Sequence, residues 1–310
     1  MTSLSVVMPV YDAERWVAAA VESLLRQTHT DFELLIFDDG SRDRTLEIIE
    51  AFQDPRIRLH RRPHAGYSIW LREGVQLARG EYLARMDADD VARPQRFELQ
   101  LAHLRRHPEC VALGSEVLLV DPEGRPLGER GVPLRHEAIE ADLLAGRGGS
   151  LVHPSAIFRR EALLAVGGYR PECEPAEDLD LYLRLAEKGR LANLRDTLLE
   201  HRLHIGKVSA ERAGEQRRQL LAILRDARMR RGLPPEAVSL PPVAERLSAV
   251  DYWHYWARSA IRARRLPIAR RYALAALIRQ PVARRSWKLL ASALLGRRAH
   301  GLKRLRELLR

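Results

Sequence analysis

Short apolar runs alternate with stretches of helical period over the first two thirds of the chain. Leu4 to Met8 reads as a buried strand, closed by Pro9. From Ala13 to Gln27 the apolar residues Trp16, Val17, Ala20, Val21, Leu24 and Leu25 recur at helical spacing. Phe32 to Phe37 is a second apolar run, ending at Asp38-Asp39-Gly40-Ser41. Thr45 to Phe52 and Tyr67 to Ala78 predict helices, Ile57 to Leu59 a short strand, and Glu81 to Met86 a strand ending at Asp87. This alternation predicts a mostly parallel, layered α/β sheet. In such sheets the ligand crevice lies outside the carboxyl ends of the strands, where Asp38, Asp39 and Asp87 fall.

Farther on, Pro94 opens a helix to about Arg106, and Cys110 to Val120 reads as a strand before the turn Asp121-Pro122-Glu123-Gly124. Arg135 to Ala145 predicts a helix, His153 to Phe158 a strand, and Leu179 to Glu187 a helix after the break at Gly167-Gly168. Arg202 to Ser209 predicts a polar loop. From Ala210 onward the pattern is helical, broken at Gly232 to Pro235, Pro241-Pro242, Pro267 and Pro281, which predicts three to five short helices. Ala269 to Ile278 and Arg285 to Leu295 resemble a tetratricopeptide helix pair too weakly to be read as a repeat.

Composition separates the two parts. Residues 1–200 hold 26 Lys and Arg against 34 Asp and Glu, whereas residues 201–310 hold 26 against 7. An acidic, motif-bearing region 1–208 is therefore expected to precede a basic helical region 209–310. With 46% apolar and 30% charged residues, the chain has enough material for an ordinary core. Tyr272 to Ile278, among the longest apolar stretches, is far too short to cross a bilayer. Met1-Thr2-Ser3-Leu4 lacks a basic leader, so no signal peptide is expected. Cys110 and Cys173 make no disulfide framework, and a reduced cytoplasmic setting is the expectation.

Three acidic clusters carry the candidate chemistry: Asp38-Asp39, Asp87-Ala88-Asp89-Asp90 and Glu177-Asp178. Carboxylates gathered at strand ends repel one another unless a positive group sits between them. A hard divalent cation shared with a phosphate ester would do this. Each cluster alone also suits ordinary turn and helix-capping chemistry.

Taken in order, the motifs resemble family-2 glycosyltransferases. The resemblance runs through Val6-Val7-Met8-Pro9-Val10-Tyr11-Asp12, Asp38-Asp39-Gly40-Ser41-Arg42-Asp43, Ala84-Arg85-Met86-Asp87-Ala88-Asp89-Asp90, Gly167-Gly168-Tyr169, Glu177-Asp178-Leu179-Asp180-Leu181 with Arg184, and Arg202 with His204. It spans about residues 4–205. The family implies a GT-A fold, here with an all-helical C-terminal extension, and sugar transfer from a nucleotide sugar with inversion. Position by position, it implies that Pro9 and Tyr11 lie against the nucleobase and that Asp39 accepts a base N–H. Asp87, Ala88 and Asp89 would form the Asp-x-Asp element on ribose and metal, with Asp89 the more direct ligand of Mn2+ or Mg2+. His204 would approach the same metal or diphosphate, and Asp178 would be the catalytic base with Glu177 beside it. His64 and Arg72 stand where relatives often carry Asn, which bears on donor choice. His153 is expected to support the acceptor pocket, and His201 and His300 to be solvated.

The implied partners are a UDP-, dTDP- or GDP-sugar and a saccharide or lipid-linked acceptor, in cell-surface glycan synthesis. A sugar nucleotidyltransferase would want a Gly-rich basic loop after the first strand, and Pro9-Val10-Tyr11-Asp12 is not one. A non-catalytic nucleotide-sugar scaffold is the other alternative. The basic tail suits either an anionic membrane surface on the inner face of the cell membrane or a solvated helical cap or homodimer surface. Nucleic acid is not an expected partner, since no nucleic-acid motif is present.

Overall fold

The computed structural model describes residues 2–205, 213–235, 240 and 248–295. Nine strands form one sheet: β1 (Leu4–Val10), β2 (Phe32–Asp38), β3 (Ile57–Arg61), β4 (Tyr82–Arg85), β5 (Val91–Ala92), β6 (Cys110–Val120), β7 (Pro126–Arg130), β8 (Ile157–Arg159) and β9 (Arg190–Arg202). Their order is β3-β2-β1-β4-β8-β6-β9-β5, with β7 paired to β6. The expected parallel arrangement holds along β3-β2-β1-β4. Beyond β4 the pairings β4–β8, β6–β8 and β5–β9 are antiparallel, so the sheet is mixed.

The helices in order are α1 (Val17–Leu25), α2 (Thr45–Glu50), α3 (Tyr67–Leu77), α4 (Arg96–Arg106), α5 (His136–Leu144), α6 (Arg160–Ala165), α7 (Glu177–Ala186), α8 (Ala213–Arg230), α9 (Ala249–Arg262), α10 (Leu266–Arg279) and α11 (Arg284–Leu295). Three strands, β5, β7 and β9, and the helix α6 were not legible in the apolar pattern. β9 is a half-buried strand whose buried positions include Asn193 and Arg202 among leucines. β7 is short, and α6 follows directly on β8. The expected strand His153–Phe158 begins as a short 3-10 turn at His153–Ser155 and becomes β8 only at Ile157.

Pro9 lies inside β1 rather than after it. The β1–β2 register runs on to Val10↔Asp38, but β1–β4 pairing stops at Val7↔Arg85. Val7 O accepts from Met86 N, and Val10 O accepts from Asp39 N. Pro9, two residues after Val7, therefore faces the side that β4 has already left, where a missing N–H costs no ladder bond. That departure opens a gap between the C-terminal ends of β1 and β4.

The chain divides into two compact units: residues 1–117, 131–201 and 214–243, and residues 118–130, 202–213 and 244–310. A single cut at 208 therefore does not describe it. In the first unit, Val7, Leu35, Phe37, Leu83, Phe158 and Tyr182 lie in a core that also takes Ile223, Leu224 and Ala227 of α8. That buried stripe at helical spacing is why α8 belongs with the sheet, although its sequence reads as part of the basic tail. In the second unit, α9 starts with a Ser248–Asp251 capping box. Trp256 packs edge-on against Tyr272 with ring centroids 4.9 Å apart, and Tyr272 donates its hydroxyl to Asp121 Oδ2 at 2.6 Å. Among the described residues no helix is long and apolar enough to cross a membrane.

Candidate functional site

The C-terminal end of β2 delivers Asp38 and Asp39, both buried. Asp39 Oδ1 accepts from Ala65 N at 2.7 Å and from Trp70 Nε1 at 2.6 Å. Its Oδ2 accepts from Gly66 N at 3.2 Å and lies 3.0 Å from His64 Nδ1. Asp39 thus holds the segment before α3. The exposed His64 ring in turn packs on Tyr11, with centroids 4.5 Å apart. Tyr11 is 40% exposed, which leaves an aromatic platform at the end of β1. Pro9 is buried behind it.

β4 ends at Arg85, and the chain turns through Asp87, Ala88, Asp89 and Asp90. Asp87, Asp89 and Asp90 place carboxylate oxygens within 4.8 Å of one another. Asp87 and Asp89 are partly exposed, Ala88 is buried, and Asp90 is fully buried. The side chain of Arg85, 6% exposed, ion-pairs with Asp87. Behind it, fully buried Arg96 donates to Arg85 O at 2.9 Å and so fixes the strand end. Burial pulls Arg96 down to about 9, with Asp90 opposing and Arg85 adding to the fall. The expected solvation of His201 is wrong: its Nδ1 lies 3.0 Å from Asp90 Oδ2, and the ring is mostly buried. β9, one of the strands not foreseen, brings it there. His300 lies outside the described residues.

Glu177 and Asp178 occupy the first turn of α7, where the helix dipole favours negative charge. Glu177 is buried, and its Oε2 accepts the Tyr67 hydroxyl at 2.8 Å. Its Oε1 lies 3.8 Å from His153 Nδ1. Burial, and then the Asp178 charge, push Glu177 up to about 8. Asp178 is only partly buried, and its Oδ1 accepts from Leu179 N at 2.7 Å. Burial raises it also, while the Leu179 N–H and the Arg85 charge pull it back. His153 Nε2 lies 2.8 Å from Tyr169 Oη. The turn before Tyr169 needs left-handed backbone at both Gly167 (φ 80°) and Gly168 (φ 70°). Burial, and then Arg85, hold His153 well below the usual imidazole range, so it is neutral at neutral pH.

Arg85 joins the two acidic groups. It pairs with Asp87, and its charge also acts on Glu177 and Asp178. The Asp178 carboxyl in turn feels Asp87. Asp87, Glu177 and Asp178 therefore share the field of one buried guanidinium, with Asp89 beside Asp87. α3 ties this site to Asp39, since Tyr67 reaches Glu177 while Trp70 reaches Asp39. α8 braces the approach to α7, with Gln216 Nε2 donating to Pro175 O at 2.9 Å. Sequence reasoning missed Tyr67, Trp70, His201 and Gln216 as parts of this framework. The one available signal was the i, i+3 spacing of Tyr67 and Trp70 at a helix start. His204 belongs to the second unit, just past the end of β9. Arg202 donates to Asp121 O at 3.1 Å and Pro122 O at 3.2 Å, pinning the β6–β7 turn.

The Asp87, Asp89 and Asp90 carboxylates, two of them partly exposed, are oxygen donors on one turn of the kind that suits a hard divalent cation.

Residues 5–167 match the family model described as glycosyl transferase family 2. The chain is 33% identical over 206 residues to the putative glycosyltransferase EpsE of Bacillus subtilis (strain 168), over 64% of this chain and 72% of that protein. It is 26% identical over 234 residues to hyaluronan synthase of Pasteurella multocida, over 74% of this chain but 23% of that protein's length. Two solved structures share the fold. S. aureus TarS 1-349 in complex with UDP-GlcNAc matches with TM-score 0.59 at 18% identity, over 95% of this chain and 92% of that one. Mannosyltransferase PcManGT from Pyrobaculum calidifontis, in complex with GDP-Man and Mn2+, matches with TM-score 0.54 at 18% identity, over 94% and 79%. With its motifs in order and its mixed sheet flanked by helices, the chain belongs to glycosyl transferase family 2 and is a glycosyltransferase of GT-A fold.

Proposed function

We propose that this glycosyltransferase moves a sugar from a nucleoside-diphosphate sugar to a hydroxyl of a saccharide or lipid-linked acceptor, with inversion at the anomeric carbon. The observation that carries the reading is the assembly of the Asp87–Asp89 turn and the Glu177–Asp178 pair around the buried Arg85. A UDP- or GDP-sugar donor is supported by structures of the same fold solved with UDP-GlcNAc and with GDP-Man. The Tyr11–His64 pair would stack on the base. Asp39 would accept a base N–H in place of the exposed His64 donor. Asp89 and Asp87 would hold Mn2+ or Mg2+, which when bound supplies positive charge to the departing diphosphate.

Asp178 is the base in this reading. Its carboxylate takes the acceptor hydroxyl proton as that oxygen forms its bond to the anomeric carbon, while the bond from that carbon to the diphosphate oxygen breaks. A single displacement inverts the configuration and needs no protein nucleophile. Glu177, pushed to about 8, keeps its proton at neutral pH and fixes Tyr67 instead of competing as a base. Relatives named for glycan biosynthesis, including the O-antigen biosynthesis glycosyltransferase WbnJ of Escherichia coli, support a cell-surface glycan as product. The reaction would then run in the cytoplasm or at the inner face of the cell membrane.

Asp178→Asn tests the assignment. Transfer is expected to fall by roughly 100-fold or more, as for loss of a general base, with UDP affinity and melting temperature near wild type. Normal transfer by this variant would overturn the role of Asp178.

A further inference from the structure

The helices α10 and α11 form a hairpin. Arg270 Nε donates to Ala293 O at 3.2 Å at one end, and Trp287 Nε1 donates to Pro281 O at 2.8 Å at the other. Their inner faces bury Tyr272, Ala273, Ala276, Leu277, Leu289 and Ala293. At the connecting turn the pattern inverts. Ile278 is 73% exposed, Val282 93% and Trp287 57%. The indole bond to Pro281 O keeps Trp287 beside that turn instead of folding it into the hairpin.

The charge around these side chains has one sign. Arg279, Arg284 and Lys288 are exposed at the same turn, and among the described residues no ion pair joins them to an acid. Between residues 248 and 295 the chain carries ten Lys and Arg and a single acid, Asp251, which pairs with Arg285. An exposed indole and two aliphatic side chains at a turn, ringed by cations, match the boundary between acyl chains and anionic headgroups. The lack of acids rules against a basic partner. The protruding aliphatic tip has no use on a purely polar polyanion.

We propose that the α10–α11 tip is a docking surface for anionic lipid, with Ile278, Val282 and Trp287 entering the interface while Arg279, Arg284 and Lys288 meet lipid phosphates. The test of this surface does not read sugar transfer.

The full chain is floated with vesicles of phosphatidylcholine alone or mixed with phosphatidylglycerol, at low and high salt. Binding is expected on the mixed vesicles, weakening as salt shortens the screening length. Arg279→Gln, Arg284→Gln and Lys288→Gln together should weaken partition on the order of 100-fold, at roughly 5-fold for each charge near the surface. Ile278→Ser, Val282→Ser and Trp287→Ser together should also release the protein, with unchanged UDP affinity and circular dichroism showing that the fold persists. Wild type ignoring the mixed vesicles at low salt overturns the proposal. So does either triple variant floating like wild type. Self-association lost in the variants while flotation is retained would assign the tip to a second copy of the chain. An oligonucleotide bound more tightly than the vesicles and displaced by the same substitutions would assign it to nucleic acid.

Discussion

The Glu177→Gln substitution offers a quantitative check on the buried acidic pair. In the unfolded chain Glu177 titrates near its ordinary 4.5, and in the folded protein near 8. Burial is the main cause, and the Asp178 charge adds to it. The groups facing it are Tyr67, which donates to Oε2, Arg85, whose charge opposes the rise, His153, which is neutral, and Asp178. Between the two values the folded state holds a proton that the unfolded state releases. The stability linked to this group is therefore fully present below about pH 4.5 and is lost as pH climbs through about 8. A rise from 4.5 to about 8, at about 1.4 kcal/mol per decade, sets a ceiling of about 5 kcal/mol above pH 8. About 3 to 4 kcal/mol of this disappears between pH 5 and pH 8. Glutamine reproduces the shape of the protonated acid, still accepts from Tyr67, and cannot ionise. Urea unfolding at pH 5, 6, 7 and 8 should show wild-type stability falling with pH and a distinctly flatter line for Glu177→Gln, with the raised Asp178 leaving a smaller slope of the same sign. At pH 7 the variant should keep transfer within several-fold of wild type. Parallel pH curves would refute the buried, protonated state. A collapse of transfer in a stable variant would refute the division of roles between Glu177 and Asp178.

Asp89→Asn should reduce the affinity for UDP measured with Mn2+ to the level that wild type shows with a chelator; calorimetry that finds no chelator effect on wild type would exclude a cation at the Asp87–Asp90 turn. Tyr11→Ala should weaken UDP binding about tenfold, within the range of about 1–3 kcal/mol for stacking of a base on an aromatic ring, and unchanged affinity would remove the Tyr11–His64 platform from the base site. At Gly80, an added Cβ would lie 2.6 Å from Ser5 N and 2.7 Å from Leu4 C, both backbone atoms, so Gly80→Ala should lower stability by about 3 kcal/mol or more, read as a fall in the urea midpoint. Truncation at Ala210 should impair folding of the first unit, because it removes Ile223, Leu224 and Ala227 from the core, whereas a chain ending after Val243 should retain UDP binding; a stable, UDP-binding 1–210 fragment would show that α8 is dispensable.

The chemistry-bearing positions were legible because each motif stands where a local pattern ends. Apolar runs stop at Asp38 and at Asp87, and a helical period starts beside Glu177-Asp178. Strand ends and helix starts are set by short-range pattern, so their locations along the chain could be read residue by residue. The parallel half of the sheet followed from the same alternation of strand and helix. β9 could not be read in this way, because its buried face includes Asn193 and Arg202, whose side chains donate to Pro133, Ser150 and the Asp121 turn, all remote in sequence. With β9 unseen, His201 looked solvated, although it lies against buried Asp90. The allegiance of α8 was hidden for a related reason: its arginines dominate its composition, while three apolar residues on one face decide where it packs. The raised carboxyl of Glu177 was equally out of reach. Proximity along the chain joins it only to Asp178, and its burial beneath Tyr67 depends on α3, which begins 110 residues earlier. Local periodicity reports which residues share a strand or a helix face. Desolvation and charge coupling depend on distances between elements remote in sequence, and those exist only once the sheet has assembled.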